Sequence, residues 1–166
     1  LGMRKYKASF NSPLASIPKI KDSVSLGLLG GLLGTLPLDF INLALWKRRK
    51  AESLYGQMAG SILMKGLQTK KRKNYIFGQI VHMSTGAIAG IPMVYLFKWT
   101  GKDRQITKGA AYGFIVWAVY YVFGIRIGAF NPPPQKNSSH FINLATNILF
   151  GILTAKSVSA LAHPAL

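Results

Sequence analysis

Residues 27–40 read "GLLGGLLGTLPLDF", a glycine-studded apolar run that takes on Pro37 and Asp39 within its last four positions. Extended outward, the run covers Val24 to Trp46. That matches the roughly 20 apolar residues needed to cross a hydrocarbon core about 30 Å thick. Three further runs follow, Tyr75 to Phe97, Ile106 to Ile127 and Phe141 to Ala162. The fold class this predicts is all-α, a polytopic membrane bundle of four transmembrane helices forming one domain over residues 24–166. Trp46, Tyr75, Trp99 and Phe130 fall where an interfacial aromatic belt is expected. Between the first two spans, Ala51 to Leu67 ("AESLYGQMAGSILMKGL") is too short to cross and is expected to form an interfacial or re-entrant helix. "FNPPPQKNSS", Phe130 to Ser139, separates the last two spans, because consecutive prolines forbid a helix.

Pro37 and Asp39 raise a second reading, in which the first run turns back inside the membrane at Leu36 to Asp39. A single crossing is preferred, since 23 residues suit one passage better than two half-passages.

Charge agrees with a membrane setting. The 166 residues carry 21 Lys+Arg against four acids, a formal net charge of +17. Such a balance points to nucleic acid or to anionic lipid. The basic residues gather at the ends of apolar runs, as juxtamembrane charges do, which favours lipid and speaks against nucleic acid. Lys47, Arg48, Arg49 and Lys50, with Lys70, Lys71, Arg72 and Lys73, form the candidate anionic-lipid segment; ordinary topology-setting charge is the plainer account of the same residues. With four crossings the positive charges divide almost equally between the two faces, so the positive-inside rule does not choose an orientation. Residues 1–23 form a basic segment, interfacial or partly disordered, with no signal-peptide pattern.

Glycines recur at four-residue spacing, with Gly27 and Gly31, Gly86 and Gly90, and Gly109 and Gly113 as the clearest pairs. Small-xxx-small faces let helix backbones approach closely, within one bundle or across the seam of a homo-oligomer or of a membrane-protein partner.

Counted at 1.5 Å per residue from one membrane face, Asp39, His82, Tyr120 and Asn147 all lie roughly 10 to 12 Å deep. His140, Asn143, Asn147 and Thr154 follow three-, four- and seven-residue steps along one face of the last span. A carboxylate at that depth needs a partner, and His82, Tyr120, Tyr121, Asn143 and Asn147 are the candidates. Asp39, Asn42, His82, Tyr120, Asn143 and Asn147 therefore form the expected intramembrane polar site, or else act only as interhelical glue. Pro37 leaves the carbonyl near Leu33 without its helical donor.

The sequence contains no cysteine, and it shows no nucleophile motif, phosphate-binding glycine loop or paired carboxylates. No catalytic and no metal-binding residues are assigned, and no cofactor is expected. Haem b bound through His82 or His140 is disfavoured, since helical rise puts the two at different depths.

"GLLGGLLGTLPLDFINL", "GQIVHMSTGAIAG", "KGAAYGFIVWAVYYVFG" and "SHFINLATNILFGILTA" together resemble an uncharacterised family of small four-span integral membrane proteins of spore-forming Gram-positive bacteria. The resemblance spans Gly27 to Lys156 and implies an architecture, with no assigned activity and no catalytic residues; the charge of Lys47 to Lys73 departs from it. The expected function is that of a non-enzymatic, multi-pass cell-membrane protein, an accessory or structural subunit packing with itself or with a partner. The alternative is a small transporter or channel using the polar level around Asp39 and His82.

Overall fold

The computed structural model describes residues 19–64, 68–130, 132 and 134–164. Five helices carry the fold: α1 (Ser23–Lys47), α2 (Tyr55–Gly60), α3 (Arg72–Thr100), α4 (Gln105–Arg126) and α5 (Asn137–Leu161). All but α2 are long and apolar enough to cross a membrane. The chain is an all-α, multi-pass membrane bundle, and the four expected spans fall within these helices to a few residues. The expected N-terminal segment lies mostly outside the described residues.

α1 starts at Asp22, whose carboxylate accepts a 2.6 Å hydrogen bond from the Ser25 backbone N–H, a side-chain N-cap. Pro37 sits inside α1 and does not break it. The turn-back reading at Leu36 to Asp39 is thus incorrect. One missing N–H costs a single bond, whereas a reversal in lipid would strip a whole turn of its partners. α1 ends in a Schellman-type turn: Lys50 N–H donates to Leu45 O, Arg49 N–H donates to Trp46 O, and Arg49 takes the left-handed conformation at φ 58°.

The helices pack in the order α3, α1, α5, α4, and the outer pair α3 and α4 barely meet. Glycine sets the two tightest contacts. A Cβ on Gly27 would stand 2.5 Å from the Ile91 Cα, and one on Gly109 would stand 2.7 Å from the Ile152 Cα. Gly31, Gly86 and Gly90 close the same α1–α3 seam, and Gly113 sits with Gly109 against α5. All six of these glycines are used inside the bundle.

Two apolar clusters divide the molecule lengthwise. Leu26, Met93, Phe97, Ala155 and Val158 fill the half near the described termini, which we call the terminal half. Leu38, Tyr55, Met58, Ala89, Val116, Tyr121 and Phe150 surround the other, the loop half. At the terminal end the chain is tied by main chain: Ile20 N–H donates to Leu161 O at 2.9 Å, and His163 N–H to Ile20 O at 3.1 Å. Lysines cover exposed carbonyls there. Lys19 Nζ donates to Ala160 O, Lys102 Nζ to His163 O, and Lys108 Nζ to Thr100 O and Gly101 O. Cations at helix C-termini also meet the negative end of the macrodipole. Lys108 ion-pairs with Asp103 at 2.8 Å and holds that exposed carboxyl below its ordinary range.

Candidate functional site

The 51–67 segment is the piece that shapes the site. Its helix is only six residues long, and residues 65–67 lie outside the described set. That helix packs into the bundle and not along its outside. Tyr55, Gly56, Met58, Ala59 and Gly60 are buried, and Gly56 and Gly60 lie against Gly78 of α3. The Tyr55 hydroxyl meets Thr146 Oγ1 at 2.5 Å, well along α5. α2 therefore plugs the loop half of the bundle.

Side chains hold the plug. Asn42 accepts from Tyr55 N–H at 2.8 Å and donates from Nδ2 to Ser53 O at 3.3 Å. Glu52 accepts from Ser139 Oγ at 2.5 Å and from Lys136 N–H at 3.3 Å, capping the start of α5 where a negative charge is favoured. Gln135 donates to Ser53 Oγ at 3.2 Å and accepts from the Tyr121 hydroxyl at 2.9 Å; that hydroxyl also lies 2.9 Å from His140 Nδ1.

Beneath the plug is a cavity of about 120 Å³ to which every helix contributes: Thr35 and Leu38, Tyr55 and Met58, His82 and Thr85, Val116 and Tyr120, Asn143 and Asn147. Its open edge lies where α3 and α4 fail to close, and Tyr120, which lines the cavity and is exposed, marks that edge. The Tyr112 hydroxyl bridges the two helices by donating to Ala89 O. Ala89 lies three residues before Pro92, in a turn where the proline lacks an N–H to donate. Trp117–Phe123 of α4 is π-helical, and both Tyr120 and Tyr121 line the cavity from it. Such segments recur at functional sites.

Of the expected polar set, His82, Tyr120, Asn143 and Asn147 share the cavity wall. Asp39 stands outside the lining, behind His82. Its Oδ1 is 3.2 Å from His82 Nε2 and its Oδ2 accepts from Gln79 Nε2 at 2.8 Å. The first contact is close enough for an ion pair but misaligned for a hydrogen bond, so the buried Nε2 is left without one. The His82 ring packs on Tyr55 with centroids 5.1 Å apart. Trp117 Nε1, on a ring stacked against Tyr121, is likewise buried without a hydrogen-bond partner among the described residues. Asn42 belongs to the plug and not to the cavity. Asn143 and Asn147 donate back along α5, to Ser139 O and Asn143 O. Phe130 is no belt residue: it folds under α4 against Gly124 and joins the cavity wall. His140 sits with Tyr121, away from the His82 and Asp39 pair.

Gln79, Tyr55, Glu52 and Gln135 were not among the expected site residues. Gln79 had a signal, since it lies three residues before His82 on the same helical face. The others act through contacts far apart in sequence. Lys47 to Lys50 and Lys70 to Lys73 lie exposed at the loop end. Among the described residues no three His, Cys, Asp or Glu side chains converge as a metal site.

Fold and cavity together define a class: a multi-pass membrane bundle with an internal pocket half-way along its helices. No protein-family model matches the chain, and neither does any curated protein or solved structure.

Proposed function

We propose that this is a non-enzymatic, multi-pass cell-membrane protein that takes a compact, ring-sized ligand from the bilayer into the pocket between α3 and α4. The cavity carries this reading. At about 120 Å³ it approaches the roughly 150 Å³ that accepts a benzene ring in a protein interior. Its wall combines aromatic and aliphatic surface with a few polar groups, the usual composition of a small-molecule site. The plug closes it towards the loop end, which favours entry from the side over a through-channel and leaves carriage across the membrane as a later step of the same binding. The resemblance to small four-span proteins of spore-forming bacteria accords with the cell membrane as its place.

The test is thermal stability of the detergent-solubilised chain against increasing phenol. A ligand at one hundred times its Kd stabilises by about 2.7 kcal/mol. The wild type is expected to gain stability with concentration, and Ala89→Phe and Val116→Phe, which fill the cavity from opposite walls, are expected not to. Equal gains in all three would overturn the reading.

A second reading, the accessory subunit, draws on the same cleft: two outer helices that barely touch leave room for a helix of a partner protein. Gentle extraction followed by mass spectrometry decides it. A stoichiometric protein that departs when Tyr120 is changed to Ala supports the subunit; a chain travelling alone counts against it.

A further inference from the structure

Four cations at the terminal end are built into the fold, beside the scattered and exposed Lys21, Arg104 and Lys156; the cations at the loop end are exposed and gathered. At the terminal end Lys19, Lys102 and Lys108 donate to main-chain carbonyls, and Lys98 lies 5.4 Å over the Tyr95 ring. At the loop end every side chain of Lys47–Lys50 and Lys70–Lys73 is exposed, and none has a hydrogen bond, ion pair or ring contact among the described residues. The one acid there, Glu52, is already taken by Ser139 and Lys136 at the start of α5. The first set of charges is part of the fold. The second is not.

The second set is also gathered. α1 and α3 are antiparallel and packed along their lengths, so the run after α1 and the run that opens α3 come to the same end of the same helix pair. Trp46, next to Lys47, is 41% exposed, as expected of an aromatic residue at headgroup level. Arg49 is held in the left-handed conformation by the turn that closes α1, which fixes the path of the first run.

We propose that this paired basic surface recognises anionic phospholipid headgroups in the leaflet at the loop end, with phosphate oxygens supplying the acceptors that the protein itself does not. The lysines and arginines hold the site by charge and by hydrogen bonds to phosphate, with Arg48, Arg49 and Arg72 able to give paired donors. Soluble polyanions share this chemistry, but a surface at headgroup depth beside two spans meets lipid first. The inference is independent of the pocket.

The test uses the full chain, purified in mild detergent and offered an equimolar mixture of phosphatidylglycerol, diphosphatidylglycerol and phosphatidylcholine, with bound lipid identified by native mass spectrometry. The wild type is expected to retain the anionic lipids severalfold over phosphatidylcholine. That preference should fall towards unity when Lys47, Arg48, Arg49 and Lys50, or Lys70, Lys71, Arg72 and Lys73, are changed to Gln. Changing Lys21 and Arg104 to Gln at the terminal end should leave it intact. A measurement on the wild type alone guards against misfolded variants: raising salt from about 0.05 M to about 0.5 M shortens the screening length and should erode the preference. Unchanged preference in the loop-end variants, indifference to headgroup charge, or binding of RNA or inorganic pyrophosphate with no lipid preference would each overturn the proposal.

Discussion

The terminal half of the bundle is solid and closed by backbone; the loop half is hollow and closed by side chains. In the first, Leu26, Met93 and Ala155 are fully buried, and a short parallel bridge between Ile20 and Ala162 ties the chain's two described ends together. In the second, a cavity is roofed by a six-residue helix whose position depends on Asn42, Glu52 and Gln135. At the closures themselves, the backbone tie tolerates changes of side chain and the side-chain one does not; in the packed core between them the order is reversed. Single substitutions should therefore separate the halves.

The largest effect is expected from Met93→Ala in the solid half, where nothing can relax into the space. Lost packing of a fully buried side chain should cost about 2 to 3 kcal/mol, at the low end for such truncations because the unfolded helices remain in lipid. Leu38→Ala, on the wall of the existing cavity, should cost about 1 kcal/mol less, measured by unfolding in mixed micelles; equal losses would mean that the cavity is collapsed in the membrane. Next comes Asn42→Ala, which leaves the Tyr55 N–H and the Ser53 carbonyl buried without their partner. About 2 kcal/mol of stability should go, with faster hydrogen exchange confined to the plug. Exchange spreading to the terminal half would show that the halves are not separable.

Smaller is Arg49→Gly. The αL turn that ends α1 strains any residue with a Cβ, so glycine should stabilise by up to about 1 kcal/mol while removing one cation from the loop end. A loss of stability would mean that the Arg49 side chain serves the fold, against the separation drawn above. The smallest concerns Asp22. Its hydrogen bonds from the Ser25 and Val24 backbone hold the carboxyl below its ordinary range. That cap is fully effective above the unfolded chain's value and is lost as pH falls through the folded one. Asp22→Ala should narrow the gap to wild type on acidification, read as the difference in Tm between neutral and acid pH. A gap that stays constant would deny the cap its charge.

The spans, the close-packing glycines and the level at which His82, Tyr120 and Asn147 meet on one cavity wall were legible in the sequence because each rests on spacing within one helix. The role of Asn42 was not. It sits one turn from Asp39 and reads as part of the same polar patch, yet its partners are main-chain groups 11 and 13 residues away. The depth of α2 was hidden for a related reason: six residues carry no periodic signal, and Gly56 and Gly60 gain meaning only once Gly78 is opposite them. Phe130 misled because an aromatic at a span's end can face lipid or fold back, and only the turn at Gly128, with φ 74°, sends it under α4. Gln79 as partner to Asp39 could have been read from its place one turn before His82.

The π-helical stretch of α4 also bears on chain length. A helix hydrogen-bonded five residues back holds more residues in a turn than an α-helix, so Trp117–Phe123 accommodates surplus chain. Removing one residue there, Val119 for instance, would let the stretch relax to α-helix, and because the surplus residue is what the wider turn absorbs, all that follows would keep nearly the same facing. Tyr121 would then still face Gln135 and His140, whereas the same deletion in an α-helical turn of α4 would rotate everything beyond it by about 100°. The pocket is thus buffered at this stretch against the loss of a residue that would disturb it elsewhere along α4.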